Sequence, residues 1–225
     1  MKPDEPSDRQ VASPPANLDW VEWAKRLSAI AQTGLTFAKD PFDIDRYHAI
    51  RQIAAEMLAS ASQLETKVIV GLLSKDDGYA TPKVDVRGVV FRDDKLLLVR
   101  ETSDGHWTLP GGWADVCASP AENVEREVFE ESGFTVRATK ILAVFDRSKH
   151  PHEPPFAFHV YKFFVHCTLV SGNATPSSET DAIGFFGEHE IPPLSLTRVT
   201  PAQIHRMFKH HRNPNLPTDF DQTIG

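Results

Sequence analysis

A capped helix that ends in a glutamate cluster is the feature that most restricts how this chain folds. Ser119 and Glu122 form a capping box around Pro120, which occupies the first helical position. Gly133 supplies the C-terminal stop that many helices use. These signals predict a helix from Pro120 to Ser132, preceded by a glycine-containing loop.

Three carboxylates of this predicted helix share one face. Glu127, Glu130 and Glu131 stand at i, i+3 and i+4, which places them within an arc of roughly 100°. The adjoining stripe, which we expect to be buried, consists of Ala121, Val124 and Val128. Like charges at this spacing cost about 0.2 to 0.5 kcal/mol each, and a bound cation reverses that cost. Carboxylate oxygens without Cys or His favour Mg²⁺ or Mn²⁺ over zinc, and a solvated acidic helix face is the alternative.

The segment from Gly112 to Phe134 resembles the Nudix box, whose pattern is G-x5-E-x7-R-E-U-x-E-E-x-G-U with U a bulky apolar residue. The positions that agree with this pattern are Gly112, Arg126, Glu127, Val128, Glu130, Glu131, Gly133 and Phe134. Ala118 stands where the family has its first glutamate, a residue that helps to orient the arginine. This departure concerns the support of Arg126 and leaves the three helix carboxylates in place.

Strand patterns surround the helix without strict strand–helix alternation, which indicates a fold of the α+β class. The predicted strands are 84–91, 96–100, 135–145, 156–169 and 183–186. A second capping box, at Thr200, opens a last helix. The resemblance implies a Nudix-type α/β/α sandwich with a mixed sheet over residues 81–211.

A small helical domain is predicted over residues 18–77, followed by a linker at 78–82. Its first helix is indicated by the spacing of Trp20, Trp23, Leu27 and Ile30, and we expect Gly34 to end it. Further helices are predicted within 43–60 and 64–73. Because such a domain has a poor core alone, we expect it to pack on the following domain or on a second subunit. We expect Trp20 and Trp23 to pack rather than to bind a ligand.

The two ends of the chain are predicted as tails. Proline-rich residues 1–17 have the composition of a disordered tail, and residues 212–225 form a C-terminal tail. The first segment also lacks the apolar stretch of a secretion signal, and no run approaches the roughly 20 apolar residues that cross a bilayer. With only two cysteines, the expectation is a cytoplasmic protein without membrane contact. The formal charge of -7 argues against stable nucleic-acid binding, while a nucleotide held through a metal stays compatible with it.

The N-terminal run W-V-E-W-A-K-R-L-S-A-I and the block T-P-K-V-D-V-R-G-V-V-F extend the resemblance. Both resemble bacterial Nudix hydrolases with an N-terminal helical domain, of the ADP-ribose or CDP-choline pyrophosphatase-like kind. The resemblance implies a homodimer and a Mg²⁺-dependent pyrophosphohydrolase. Its substrate would be a nucleoside diphosphate linked to another group, giving a nucleoside monophosphate and a phosphorylated second product.

The resemblance also implies roles for individual residues. Glu127, Glu131 and the backbone carbonyl of Gly111 are the expected metal ligands. Glu130 would bind a further metal or orient the site, and Arg126 would hold a glutamate in place. Glutamates outside the box often serve as the general base, and the candidates for that role are Glu179 first and Glu153 second.

Two other groups of residues are weaker candidates for function. Trp107 and Trp113 flank the glycine turn, where an aromatic ring either stacks on a base or packs in the core. His150 and His152 lie in a proline-rich loop, and we favour a loop-surface role over zinc binding.

Two other functions stay open beside the favoured one. A hydrolase that removes damaged nucleoside triphosphates would release pyrophosphate. A Nudix-fold sensor would bind its ligand without cleaving it. The three retained helix glutamates favour the enzyme, and Ala118 favours the sensor.

Overall fold

The computed structural model describes residues 20–62 and 64–222, so the tail predicted at 1–17 lies outside the described residues. The helices are α1 Trp20–Phe37, α2 Pro41–Ser62, α3 Thr66–Leu73, α4 Pro120–Ser132 and α5 Pro201–Arg212. The strands are β1 Lys83–Arg92, β2 Lys95–Glu101, β3 Trp107–Thr108, β4 Phe134–Asp146, β5 Val160–Gly172, β6 Thr180–Phe186 and β7 Asp219–Phe220. Within this part of the chain, no helix combines the length and the apolar character needed to cross a membrane.

The strands form one mixed sheet in the order β3-β2-β1-β5-β4-β7, and β6 also pairs with β2. β1 runs parallel to β5, with Asp85 opposite Lys162. β4 runs antiparallel to β5. β1 and β2 form a hairpin whose turn residues, Asp93 and Asp94, both adopt left-handed backbone angles, as a tight two-residue turn requires. This arrangement places β1 at the centre of the sheet.

Hydrophobic cores lie on both faces of the sheet because successive side chains of β1 point in opposite directions. Val86 and Val90 pack in one core with Val124 and Val128 of α4. Val89 packs in the other core, to which α5 contributes Ile204, Met207 and Phe208. Helices on opposite faces of a mixed sheet confirm the predicted α/β/α sandwich.

Helix α4 has the predicted bounds, with both hydrogen bonds of the capping box and a left-handed Gly133 at its end. Its buried side differs from the prediction, because Ala121 is exposed. The buried residues of the helix are Asn123, Val124, Val128, Glu131 and Ser132. One of the three carboxylates therefore belongs to the buried face of the helix.

The N-terminal helices pack through small side chains. Helix α1 continues to Phe37, so the prediction that Gly34 ends it is wrong. A Cβ atom at Gly34 would lie 2.3 Å from the ring of Tyr47 in α2, so the glycine permits a close approach of the two helices. The fully buried residues of α1 and α2 are Ala24, Ala31, Ala54 and Ala55.

Large apolar side chains of these helices point outwards instead. Trp20 and Trp23 are 36% and 47% exposed, so the described residues cover these predicted packing residues only in part. The helical domain is joined to the sandwich on another side, where Ile69 and Leu73 share a core with Phe158. The helical domain thus packs on the following domain, and the described residues leave part of its apolar surface uncovered.

Two segments in the C-terminal half of the chain also differ from the predictions. The strand expected from residue 156 begins at Val160, because residues 151–159 form an irregular loop. Residues 219–220, within the predicted C-terminal tail, add β7 to the sheet beside β4. Asp219 and Arg206 form an ion pair that ties this strand to α5.

Candidate active site

The loop before α4 lies against β1 as an additional extended segment. Val86 donates its N–H to the Gly112 carbonyl at 2.8 Å, and Gly88 donates to Pro110 at 2.8 Å. Gly111 has a φ of 141°, and a Cβ atom there would lie 2.0 Å from the carbonyl oxygen of Val86. Only glycine fits such a position, so the close contact between loop and strand fixes the backbone that borders the site.

Two carboxylates of α4 lie against this glycine backbone. Glu131 is 6% exposed, and its Oε2 accepts a hydrogen bond from the Gly111 N–H at 2.9 Å. A Cβ atom at Gly112 would lie 2.8 Å from Oε2 of Glu127. Burial raises the pKa of Glu131 to about 7, although the charge of Arg87 and the Gly111 hydrogen bond act in the opposite direction. Burial also raises the pKa of Glu127, against the charge of Arg126.

Arg126 connects the carboxylates of the helix with the preceding loop. Its guanidinium lies 3.0 Å from Glu127 Oε1 and donates to Glu130 at 3.0 Å. It also donates to Oδ2 of Asp115 at 2.8 Å. Asn123 completes the support, because its side-chain oxygen accepts from Arg126 at 3.1 Å and from the Asp115 N–H at 2.8 Å. A carboxylate therefore supports the arginine, and Asp115 supplies it instead of position 118.

Glu179 lies on the loop that faces α4. It is exposed, and its charge contributes to the raised pKa of Glu127. The loop is held in place because Thr180, which is fully buried, donates its hydroxyl to the Glu131 carbonyl at 2.6 Å. The Glu179 carbonyl accepts from the backbone N–H of Thr102 at 2.8 Å. Backbone contacts thus hold the loop while the Glu179 side chain is left at the surface.

These groups line one cavity of about 600 Å³, which we call the glutamate cleft. It brings together the predicted residues Gly111, Trp113, Arg126, Glu127, Glu130, Glu131 and Glu179. The lining also contains Arg87, Glu101, Asp115 and Arg198, which the sequence patterns did not predict. The available signal was charge beside apolar strand residues, with Asp85 and Arg87 in β1 and Glu101 at the end of β2.

The remaining candidates lie outside the glutamate cleft. Trp107 packs edge-on against Phe186 at 4.8 Å, next to the core on the α5 side. Glu153 borders a separate cavity with Asp104 and His106.

The two loop histidines are also placed away from the cleft. His152 is 7% exposed, so its predicted surface position is wrong. Its Nδ1 donates to the Leu196 carbonyl at 3.0 Å, and its Nε2 lies 3.2 Å from Nε2 of Gln203. His150 pairs with Asp221 at 3.1 Å. Both rings therefore have protein partners and connect the loop to other parts of the sandwich.

The carboxylates of the cleft fit a hard divalent cation. Every candidate ligand is an oxygen, and burial raises the pKa values of Glu131 and Glu127, a cost that a bound cation would offset. Among the residues that the structure describes, no three His, Cys, Asp or Glu side chains already form a complete ligand group. Backbone carbonyl and water oxygens would complete the coordination, as is usual for Mg²⁺.

A mixed sheet between helices thus presents buried glutamates to a glycine loop, an arrangement of oxygen atoms that suits a divalent metal and hydrolytic chemistry. The family model described as the NUDIX domain matches residues 81–208. A second model, described as a UDP-X-like N-terminal oligomerisation domain, matches residues 18–73. The chain belongs to the Nudix family, whose hydrolases generally need a divalent metal.

Individual relatives agree with this assignment. The chain is 46% identical over 202 residues to YjhB of Bacillus subtilis, a protein provisionally named as an ADP-ribose pyrophosphatase. The aligned residues make up 90% of this chain and 97% of YjhB. A crystal structure of a UDP-X diphosphatase is 36% identical, with a TM-score of 0.58 and coverage of 90% of this chain and 98% of that chain. An ADP-ribose pyrophosphatase from Streptococcus suis is 42% identical, with a TM-score of 0.57 over 63% of this chain and all of its own.

Proposed function

We propose that this Nudix hydrolase cleaves the diphosphate of a nucleoside diphosphate linked to a second group. The products would be a nucleoside monophosphate and a phosphorylated second product. The observation that carries this proposal is the burial of Glu131 and Glu127 against the backbone of Gly111 and Gly112. Relatives named for ADP-ribose and for UDP-X hydrolysis support the same substrate class.

The proposed metal ligands are Glu127, Glu131 and the Gly111 carbonyl, with Mg²⁺ or Mn²⁺ as the ion. Glu130 is proposed to bind a further ion or to orient the site. It lies on the exposed edge of α4 and lines the glutamate cleft together with the other carboxylates. Arg126 positions Glu127 and Glu130 through the two contacts at 3.0 Å.

A divalent ion in this cleft would neutralise diphosphate oxygens and lower the pKa of a bound water. The chain itself supplies the rest of the reaction environment. Glycine at positions 111 and 112 lets the loop backbone approach the diphosphate without a side chain in between. Glu179 is proposed as the general base, because its side chain is accessible at the rim of the cleft that holds the carboxylates. Trp113, which is 49% exposed, is proposed to contact the substrate at the other rim.

The helical domain is proposed to form a homodimer, and residues 18–77 and 81–211 are proposed as the two domains. The match to an oligomerisation domain supports this proposal. The exposed apolar side chains support it as well, since Phe37 and Phe42 are 66% and 69% exposed on neighbouring helices. We propose that the enzyme acts in the cytoplasm.

A substrate panel with product identification tests the proposed activity. The panel contains ADP-ribose, CDP-choline, other nucleotide sugars, dinucleoside polyphosphates and nucleoside triphosphates, each with Mg²⁺. Release of a nucleoside monophosphate from a diphosphate-linked compound is expected. Release of pyrophosphate from triphosphates alone would favour the triphosphate hydrolase, and binding without cleavage would favour the sensor.

A further inference from the structure

A second cavity, of about 480 Å³, opens beside the glutamate cleft, and we call it the basic cavity. The two cavities share Arg87, Gly112, Trp113 and Arg198 as boundary residues. Gly112 has the Glu127 carboxylate on one side and lines the basic cavity as well. A molecule whose diphosphate occupies the glutamate cleft can therefore extend directly into the basic cavity.

The floor of the basic cavity carries more positive than negative charge. Arg87 donates to both oxygens of Asp85, at 2.9 and 2.7 Å, and Lys162 donates to Asp85 at 2.6 Å. All three side chains are nearly fully buried. Among the described residues that line this cavity, Asp85 is the one carboxylate and it already pairs with two cations, so the lining carries an excess of positive charge.

Arg147 adds a third cation to the same cavity. It is 8% exposed, and its guanidinium donates to the carbonyls of Pro154 at 3.0 Å and Thr197 at 3.4 Å. No carboxylate of the described residues lies within ion-pair distance of it, and its Nη1 has no hydrogen-bond partner among them. Burial lowers the pKa of Arg147, and the charge of Asp85, which already pairs with Arg87 and Lys162, offsets this burial cost only in part.

An aromatic wall faces these cations. Trp113 and Phe156 stand nearly parallel at 6.1 Å, and the Arg147 guanidinium lies 5.4 Å from the Phe156 ring. Such a wall suits a ring-shaped ligand, while the cations suit an oxyanion attached to it. A neutral ring would offer Arg147 only uncharged hydrogen-bond acceptors and would leave its charge unpaired. An anionic ligand therefore fits this cavity better.

We propose that the basic cavity is a subsite for an oxyanion, a carboxylate or a phosphate ester, on the group that is linked to the nucleoside diphosphate. Arg147 is the principal contact and Lys162 the second. This inference rests on the proposed function for the position of the diphosphate. It selects acidic over neutral linked groups as the preferred substrates.

Three sugar phosphates that differ only at carbon 6 test the subsite by binding. Glucose 1-phosphate, glucuronic acid 1-phosphate and glucose 1,6-bisphosphate carry a hydroxyl, a carboxylate and a phosphate there, respectively. Calorimetry on the full chain with Mg²⁺ is expected to show at least tenfold tighter binding of one or both acidic compounds than of glucose 1-phosphate. Equal binding of all three, or binding of none, overturns the proposal.

Variants assign the preference to the cavity. Arg147→Gln is expected to reduce the preference for acidic over neutral sugar phosphates to below threefold. Arg100→Gln, at an exposed arginine paired with Asp181, is expected to leave this preference intact. A folded Arg147→Gln protein that keeps the preference overturns the assignment. If that variant does not fold, Lys162→Gln takes its place and is expected to lose at least threefold of the preference. An unchanged preference in Lys162→Gln overturns the assignment equally.

Turnover separates this inference from the proposed function. Wild-type enzyme is expected to have a lower KM for UDP-glucuronate than for UDP-glucose, with similar kcat, because the added contact acts in binding. Failure to cleave any diphosphate-linked compound would contradict the proposed function, and the binding series would still decide whether the subsite exists. Cleavage of both compounds with equal KM would contradict the subsite alone.

Discussion

Arg126 donates a hydrogen bond to Asp115 at 2.8 Å, and this contact supplies the carboxylate support that Ala118 does not provide. The pair is partly solvent-exposed, so it adds little to folding stability. Its effect is to orient Arg126, which in turn contacts Glu127 and Glu130. The change at position 118 is therefore compatible with an active enzyme.

This relationship predicts that Asp115→Asn lowers metal-dependent turnover by about tenfold, because loss of a residue that supports metal ligands typically costs ten- to hundredfold. Restoring the family glutamate in the double variant Asp115→Asn, Ala118→Glu is expected to recover most of the activity. Asp181→Asn, which removes the partner of Arg100, is the matched control. Wild-type activity in Asp115→Asn would show that Arg126 needs no carboxylate support.

Glu131→Gln is expected to lower turnover by about a hundredfold or more and to weaken metal binding. The amide oxygen still accepts the Gly111 N–H, so the fold should persist. Steady-state kinetics over a Mg²⁺ titration, together with thermal unfolding, measure both effects. Wild-type turnover in a folded variant would remove Glu131 from the proposed metal site.

Glu179→Gln tests the proposed base. Loss of a general base is expected to reduce kcat by about a hundredfold and to flatten the acidic limb of the pH–rate profile. Glu153→Gln is the matched control, because Glu153 borders a different cavity. An unchanged profile and rate in Glu179→Gln would reassign the base to another group.

Gly112→Ala is expected to raise the Mg²⁺ concentration needed for half-maximal activity by about tenfold, since the new methyl group displaces the Glu127 carboxylate. Gly187→Ala is a suitable control. There a Cβ atom would lie 3.3 Å from the Glu190 carboxylate, outside the cleft. The idea fails if both variants require the same Mg²⁺ concentration as the wild type.

The buried His152 is expected to lower the free energy of unfolding in acid. Burial lowers its pKa from 6.5 to about 3. Between these two pH values the imidazole is protonated in the unfolded chain and neutral in the folded chain. Stability therefore falls as the pH drops below 6.5, by about 3 kcal/mol at about pH 4 for this group. Chemical unfolding across this range should show a smaller decline for His152→Asn than for wild type. The exposed His48→Asn serves as control, and equal declines in all three proteins would refute the prediction.

Local sequence was sufficient wherever the signals lie close together in the chain. The capping box and Gly133 set the bounds of α4, and the spacing of Glu127, Glu130 and Glu131 placed three carboxylates on its adjoining faces. A helix forms from hydrogen bonds and caps within its own residues, so these features were predictable. The same pattern carried the family assignment and the class of reaction.

Tertiary structure decided the features that depend on distant parts of the chain. Ala121, predicted to be buried, is exposed, and Glu131 is buried, because packing on β1 sets the rotation of the helix. Arg87 and Asp115 entered the site through strand pairing and loop geometry, which local patterns do not encode. Arg147 and Lys162 line the same cavity because β5 pairs with β1 and because the loop after β4 lies beside these two strands. The sequence by itself thus determined the bond-breaking chemistry, while the fold determined which charges surround the substrate, because long-range contacts alone bring those charges together.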